Sequence, residues 1–428
     1  MSPISDHPLR YKLANELHAR PFPSMQPPCV AAYLAIKQSE MAASRDRSKD
    51  MAHLLELLDR HGATHPQPGA THYYGQIGRH WLKWEQHTEF VTYTIFNDQL
   101  NSEHPFDPLA FEPFPEDWLA DAPGERVTSV ILRIESRPPA EDINARLYEW
   151  FVPESLAVSS VLDDGAIVAG DFRIDGNGHM RFAVFAGEGI GKRRTGRIVQ
   201  RLCEVETYKS MSMLGFARVR ELDPKLNALD TQLTRLMGAM SEGASAAETT
   251  LKELLSISAD LESLSAQNSF RFGATGAYEA IVNQRIEALR EERWEGRQTF
   301  AEFMMRRYEP AMRTVKSVER RLEQMSSRSI RASNLLRTRV DVERSAQNQK
   351  LLESMDQRSD VQLRLQRTVE GLSVVAISYY AVSLAAYLLY PVADAAGMSR
   401  GWLMAAVTLP IVGLVWWMVR RIRKGIER

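Results

Sequence analysis

Hydrophobic residues follow two rhythms along the chain, and the change comes near residue 195. Between residues 30 and 190, strand-like runs alternate with short helical ones. CVAAYLAIK reads as a buried strand, and MAHLLELLDR as an amphipathic helix with Leu54, Leu55 and Leu58 on one side. HWLKWEQHTEFVTYTIF reads as two strands around a polar centre at Gln86 to Thr88. RVTSVILRIE predicts a further strand, AEDINARLYEWF a helix, and LAVSSVLDDGAIVAGDFRIDGNGHMRFAVFAG three strands. Their joints, Asp164-Gly165 and Asp175-Gly176-Asn177-Gly178, supply the positive φ angles of tight hairpins. The proline-rich EHPFDPLAFEPFPEDWLADAPG cannot be a regular element and is expected as a surface excursion or an extended packing arm. Residues 1–195 thus read as an α+β domain with a mixed or antiparallel sheet.

From about residue 196 the period becomes helical. Leu222, Leu226, Leu229, Leu233, Leu236 and Met240 alternate spacings of four and three, the seam of a coiled coil or helical bundle. Val315, Val318, Leu322, Met325, Ser329, Ala332 and Leu336 repeat the arrangement. GAMSEGASAAE between them reads as a small-residue turn, and Phe272-Gly273-Ala274-Thr275-Gly276 as another break before a helix. The last helix is expected to begin after Pro310, where proline suits the first helical position, and to run through Val369 into the apolar run that follows, a rod of about 80 residues, roughly 120 Å. Residues 196–370 form this long-helix bundle or stalk.

Residues 371–390, GLSVVAISYYAVSLAAYLLY, carry no charge over the length that crosses a hydrocarbon core, and residues 402–419 form a second such run. The intervening PVADAAGMSR begins with a proline and reads as a short external turn. A transmembrane helical hairpin follows, closing residues 371–428. Arg358, Arg364 and Arg367 precede it, Arg420, Arg421, Arg423, Lys424 and Arg428 follow it, and the connecting loop holds only Arg400. The positive-inside rule then puts both termini in the cytosol, and the N-terminal residues hold no apolar run of signal-peptide length.

The formal net charge of −1 removes any whole-protein attraction to nucleic acid, so no nucleic-acid partner is expected. Cys29 and Cys203 lie too far apart in sequence for a zinc spacing and read as buried thiols. No cofactor is expected on these grounds.

Three groups of residues could carry chemistry. GEGIGKRRTGR follows an expected strand and precedes an expected helix, the setting of a phosphate-binding loop, but Gly187 and Gly191 are spaced too closely for a Walker loop and Arg193 follows Lys192. It reads as a basic strand-to-helix turn or, alternatively, an anion site of Lys192, Arg193 and Arg194. Glu16, His18 and Arg20 in NELHARPFP, with Trp84, His87 and Glu89 in WEQHTEF, form either a ligand-binding cluster or buried ion pairs that lock a terminal arm onto a sheet. His61 and His65 have no cysteine or carboxylate completing a tight ligand set, so the histidines read as scattered surface and strand residues. With no nucleophile elbow and no H-E-x-x-H helix, nothing here points to an enzyme.

ELHARPFP, WEQHTEFVTYTIF, GDFRIDGNG, GRIVQRLCEVETYK, RRYEPAMRT and VEGLSVVAISYYAVSL together resemble an uncharacterised family of bacterial membrane-anchored proteins. That resemblance implies a bacterial inner membrane as the location. The layout of α+β domain, long helix, two spans and basic tail is similar to the CorA-type magnesium channels, which are pentamers with the first span lining the pore. That family's Gly-Met-Asn is replaced here by Tyr390-Pro391-Val392, with Gly397-Met398-Ser399 further on. The resemblance implies a homo-oligomer in the bilayer, with Tyr380, Ser383, Tyr387 and Tyr390 lining a pathway for a divalent cation and Asp394 at its outer mouth. The other expectation is an anchor: a hairpin holding a cytosolic scaffold or sensor without transport, its intramembrane hydroxyls serving helix packing.

Overall fold

The computed structural model describes residues 4–16, 22–39, 42–98, 104–242 and 247–426. A short helix α1 (Arg10–Glu16) precedes β1 (Cys29–Lys37), α2 (Arg47–Arg60), β2 (His72–Ile77), β3 (His80–Gln86) and β4 (Phe90–Asn97). Then come α3 (Glu116–Ala120), β5 (Glu125–Ser136), α4 (Ala140–Trp150), β6 (Ala157–Val161), β7 (Ala166–Ile174) and β8 (Met180–Ala186). The helical half is α5 (Lys192–Glu242), α6 (Ala247–Glu287), a two-residue β9 (Glu292–Arg293), α7 (Phe300–Arg307), α8 (Glu309–Ala395) and α9 (Arg400–Ile426). Two compact units result, one of residues 1–244 with 252–332 and one of residues 245–251 with 333–428.

Every residue of β1 is buried, which suits a strand at the centre of a sheet covered on both faces. The described strands form one sheet in the order β2-β3-β4-β1-β5-β8-β7-β6-β9. All pairs are antiparallel except β5 with β8, so the mixed α+β reading holds. On one face Leu54, Leu57 and Leu58 of α2 and Trp118 of α3 bury against Leu34, Trp84 and Tyr93. His53 ties this core together: its Nε2 donates to the Trp118 carbonyl (2.9 Å), and the Trp118 indole donates to the His53 carbonyl (2.8 Å). Further along the same face α4 covers β6, β7 and β8 with Ile143, Leu147 and Trp150.

The opposite face is held by the first half of α5, where Tyr33 of β1 meets Thr207 at 2.7 Å. Beyond the sheet, α5, α6 and the start of α8 pack as a three-helix bundle. Arg321 reaches Asn227 (2.8 Å) and Asp230 (3.0 Å), and Ser258 meets Ser329 at 2.6 Å. Most of the expected seam positions bury, Leu222, Leu226, Leu233 and Leu236 on α5 and Val315, Val318, Leu322, Met325, Ser329 and Ala332 on α8, whereas Leu229 and Met240 are only partly buried.

Three expectations are corrected. The proline-rich excursion contains a 3-10 turn at Pro108–Phe111 and then α3, because Asp107 caps the first and Pro115 precedes the second. α6 runs through Phe272–Gly276 without a break, since Phe272 and Thr275 bury there and packing outweighs the weak helix propensity of glycine. α8 continues past Pro391 to Ala395, so the connection to α9 is shorter than the expected ten residues. The expected small-residue turn falls partly on residues 243–246, outside the described residues.

In the second unit, α8 and α9 each contain a segment long and apolar enough to cross a membrane, and almost none of that surface is buried. The buried positions include Ser378 and Val382 on α8 and Leu403 and Val415 on α9.

Candidate functional site

The polar centre between β3 and β4 is a turn of His87, Thr88 and Glu89, with Gln86 the last residue of β3, and the structure pins it from two sides. Arg45, itself buried, hydrogen-bonds the carbonyls of His87 (2.8 Å), Thr88 and Phe90 (3.0 Å), and pairs with Asp50 at 2.9 Å. From above, α6 supplies Arg271 and Tyr278. The Arg271 guanidinium pairs with Glu89 at 2.5 Å, and the Tyr278 hydroxyl donates to Glu89 Oε1 at 2.7 Å. Burial, followed by the neighbouring carboxylate, pushes the Tyr278 phenol well above its ordinary range. His87 stacks on Phe90 with ring centroids 4.3 Å apart and meets Tyr208 edge-on.

Of the residues singled out in the sequence, His87 and Glu89 therefore share this turn. Trp84 does not join them: strand alternation sends it into the core beside Trp118. His18 and Arg20 lie outside the described residues, as does the side chain of Glu16 at the end of α1. Arg45, Arg271 and Tyr278 were missed, because the two α6 residues stand 182 and 189 positions from Glu89.

Beside the turn, β3 and α5 share a polar ladder. Lys83 lies 3.1 Å from Glu85 and donates to Gln200 (2.9 Å), Gln200 donates to Glu204 (2.7 Å), and Glu204 pairs with Arg285 of α6. The crevice it lines has room for about one water, ≈ 30 Å³. Cys203 borders it, and burial drives its thiol upward, which makes it a poor nucleophile; Cys29 is likewise pushed up, to about 12. This ladder is a fastening between sheet and helices.

The basic turn has the strand-turn-helix form expected of it. The Gly191 carbonyl accepts the amides of Arg194 (2.8 Å) and Thr195, and Lys192, Arg193 and Arg194 occupy the exposed first turn of α5. Arg194 borders a surface hollow with Arg137, Asp163, Asp164 and Glu188, so carboxylates already answer its charge. Arg137 pairs with Asp164 at 2.9 Å. An N-terminal arm crosses the same turn: the Met25 amide donates to the Lys192 carbonyl, and Gly196 sits so close to Pro23 that a Cβ there would lie 1.7 Å from its carbonyl oxygen.

On α8, Tyr380 (67% exposed), Tyr387 (71%) and Tyr390 (46%) project from the apolar segment, with Ser383 half-buried among them. At about 100° per residue, Tyr380 and Tyr387 stand roughly opposite Ser378, a buried position of α8. Asp394 lies beyond, in the last turn of α8. Among the described residues no group of three or more His, Cys, Asp or Glu is placed to hold a metal ion.

The chain belongs to the family described as "Protein of unknown function (DUF3422)", whose model matches residues 5–426. A comparison with curated proteins finds no match.

Proposed function

We propose that this member of the family is a membrane-anchored homo-oligomer assembled through α8, with the first unit serving as a cytosolic sensor scaffold at a bacterial inner membrane. One observation carries this reading. Along α8, Leu352, Met355, Ser359, Gln362, Gln366, Val369, Ser373 and Ala376 continue in spacings of three and four into Tyr380, Ser383, Tyr387 and Tyr390. None of these positions is charged, although charged residues crowd the helix between 341 and 370. Residues 341–369 are exposed throughout, so none of the described residues covers the stripe there.

A partner that follows this stripe must itself pass from water into lipid at the same level. A second copy of α8, parallel and in register, does so by construction. Uncharged positions at a heptad seam let two copies approach without repulsion. Pairing within the bilayer also relieves the tyrosine hydroxyls, which are costly in hydrocarbon without partners. The cationic residues flanking the hairpin support cytosolic termini.

Single cysteines introduced in membranes test the assembly. Ser359→Cys and Ser383→Cys are expected to form disulfide-linked dimers on mild oxidation, whereas Ser354→Cys and Ser378→Cys, off the stripe, are not. Equal cross-linking at all four positions, or a monomer by native mass spectrometry in lipid nanodiscs, would remove the proposal.

The tyrosine stripe also favours a second reading, a pore for divalent cations. In a CorA-like ring of parallel copies the face opposite Ser378 would line the axis, with Asp394 concentrating cations beyond it. Flux of a divalent cation into vesicles carrying the oligomer, reduced in Asp394→Ala, is its expected signature. Impermeable vesicles would leave the scaffold reading alone.

A further inference from the structure

A pocket of about 340 Å³ lies in the first unit between the sheet and the proline-rich excursion, within the size range of small-ligand sites. Its position follows from strand register. Leu34 of β1 faces Ser129 of β5, and after a bulge Ile36 faces Arg126, so two apolar and two polar side chains meet on one patch of sheet. The parallel pairing of Val130 with Met180 sets His179 beside Ser129. Leu119 and Ala122, from α3 and the residues after it, supply the other apolar wall. Gly124 lets that segment press onto β1, since a Cβ there would lie 2.6 Å from the Lys37 backbone.

The body of the pocket is apolar and its polar groups gather at one end. Ser129 spends its hydroxyl proton on the Gly178 carbonyl (3.1 Å), so His179 Nδ1 is the donor in their 2.9 Å contact, and Phe111 stacks on the imidazole at 4.3 Å. Both polar side chains are thereby fixed. Arg126 is different: it is exposed, lies against Gly178, and has no carboxylate partner among the described residues. Among the described residues no carboxylate lines the pocket either, so its wall offers a cationic ligand no counter-charge.

We infer that this pocket binds a small amphipathic carboxylate, its chain between Leu34, Ile36, Leu119 and Ala122 and its carboxylate on Arg126. The inference rests on reading the first unit as a sensor, and it names the class of ligand sensed. A single guanidinium suits a monoanion, and charge-assisted pairs of this kind are among the stronger polar contacts.

The probe is hexanoate, titrated against the full chain in nanodiscs by saturation-transfer NMR with empty nanodiscs subtracted, beside hexanol and hexylamine. Saturable hexanoate binding is expected, weaker by about tenfold or more in Arg126→Gln. Hexanol should bind as weakly as hexanoate binds that variant, and hexylamine not at all. Ala122→Trp fills the pocket and should abolish binding, with Ala122→Leu as the milder version if the larger residue disturbs folding. The inference is overturned if hexanoate shows no saturable binding, or binds Arg126→Gln and Ala122→Leu as tightly as the unaltered chain. Neither result touches the cross-linking pattern of α8, so assembly and sensing fail separately.

Discussion

Tyr278 donates its hydroxyl proton to Glu89 across 2.7 Å, and with Arg271 it fastens α6 to the turn between β3 and β4. The Glu89 side chain is 1% exposed and that of Arg271 18%, so removing the carboxylate leaves a poorly solvated cation. Glu89→Gln is expected to cost about 3 kcal/mol and Tyr278→Phe about 2 kcal/mol. Denaturant unfolding followed by tryptophan fluorescence measures both. In a cycle with Arg271→Met, strict additivity would mean the pair does not couple.

Arg45 should matter as much from the other side of that turn. Replacing it with methionine keeps much of the volume but leaves Asp50 with only the Gln86 amide and takes a donor from four backbone carbonyls, those of Ala42, His87, Thr88 and Phe90. A loss of about 3 kcal/mol or more is expected, with Asp50→Asn recovering part of it because the uncompensated charge is then gone. No recovery in the double variant would show that the carbonyl contacts dominate.

Stability should fall with acid before the carboxylates titrate. Burial holds His53 below the ordinary histidine value of 6.5, and His80 and His179 shift the same way for the same first cause. The unfolded chain therefore takes up protons first as pH drops. The stability these residues contribute is complete above about pH 6.5 and is lost progressively below it. His53→Gln is expected to be less stable at pH 7.5 and to show a shallower decline between pH 6.5 and 5. An unchanged slope would assign the acid sensitivity elsewhere.

Two helical glycines should defy helix propensity. Gly196→Ala would put a Cβ 1.7 Å from the Pro23 carbonyl, and Gly215→Ala one 2.1 Å from Thr275 Oγ1. Each is expected to destabilise by about 1–3 kcal/mol through overpacking. Gly273→Ala, where a Cβ meets nothing within 4 Å, should stabilise by about 0.5–1 kcal/mol. Thermal midpoints of the three variants give the signs directly.

What the sequence made legible was set by local physics. β1, β5 and the hairpin turns at Asp164-Gly165 and Gly178 could be read because burial on both faces and Asp-Gly or Asn-Gly steps leave local signatures, although at the first turn the positive φ angles fall on Leu162, Asp163 and Asp164 and not on Gly165. β2 left none. Its HYYGQI has one face half exposed at an edge of the sheet, and Gly75 interrupts any β-branched run. The glycines of α6 and Pro391 of α8 misled because their cost is small beside the packing or helix that surrounds them. The site divides in the same way. His87 and Glu89 stood out as polar residues between two apolar strands, while Arg126 and His179 meet only through the pairing of β5 with β8. Such pairing has no trace in either segment.

The two native cysteines have a practical consequence. Cys29 and Cys203 are both buried, with thiols raised far out of the reactive range. At neutral pH neither should take up a maleimide while the fold is intact. The natural chain is thus its own silent background for site-specific labelling, and a single added cysteine on α8 or beside Arg126 would report without the two core thiols first being mutated away.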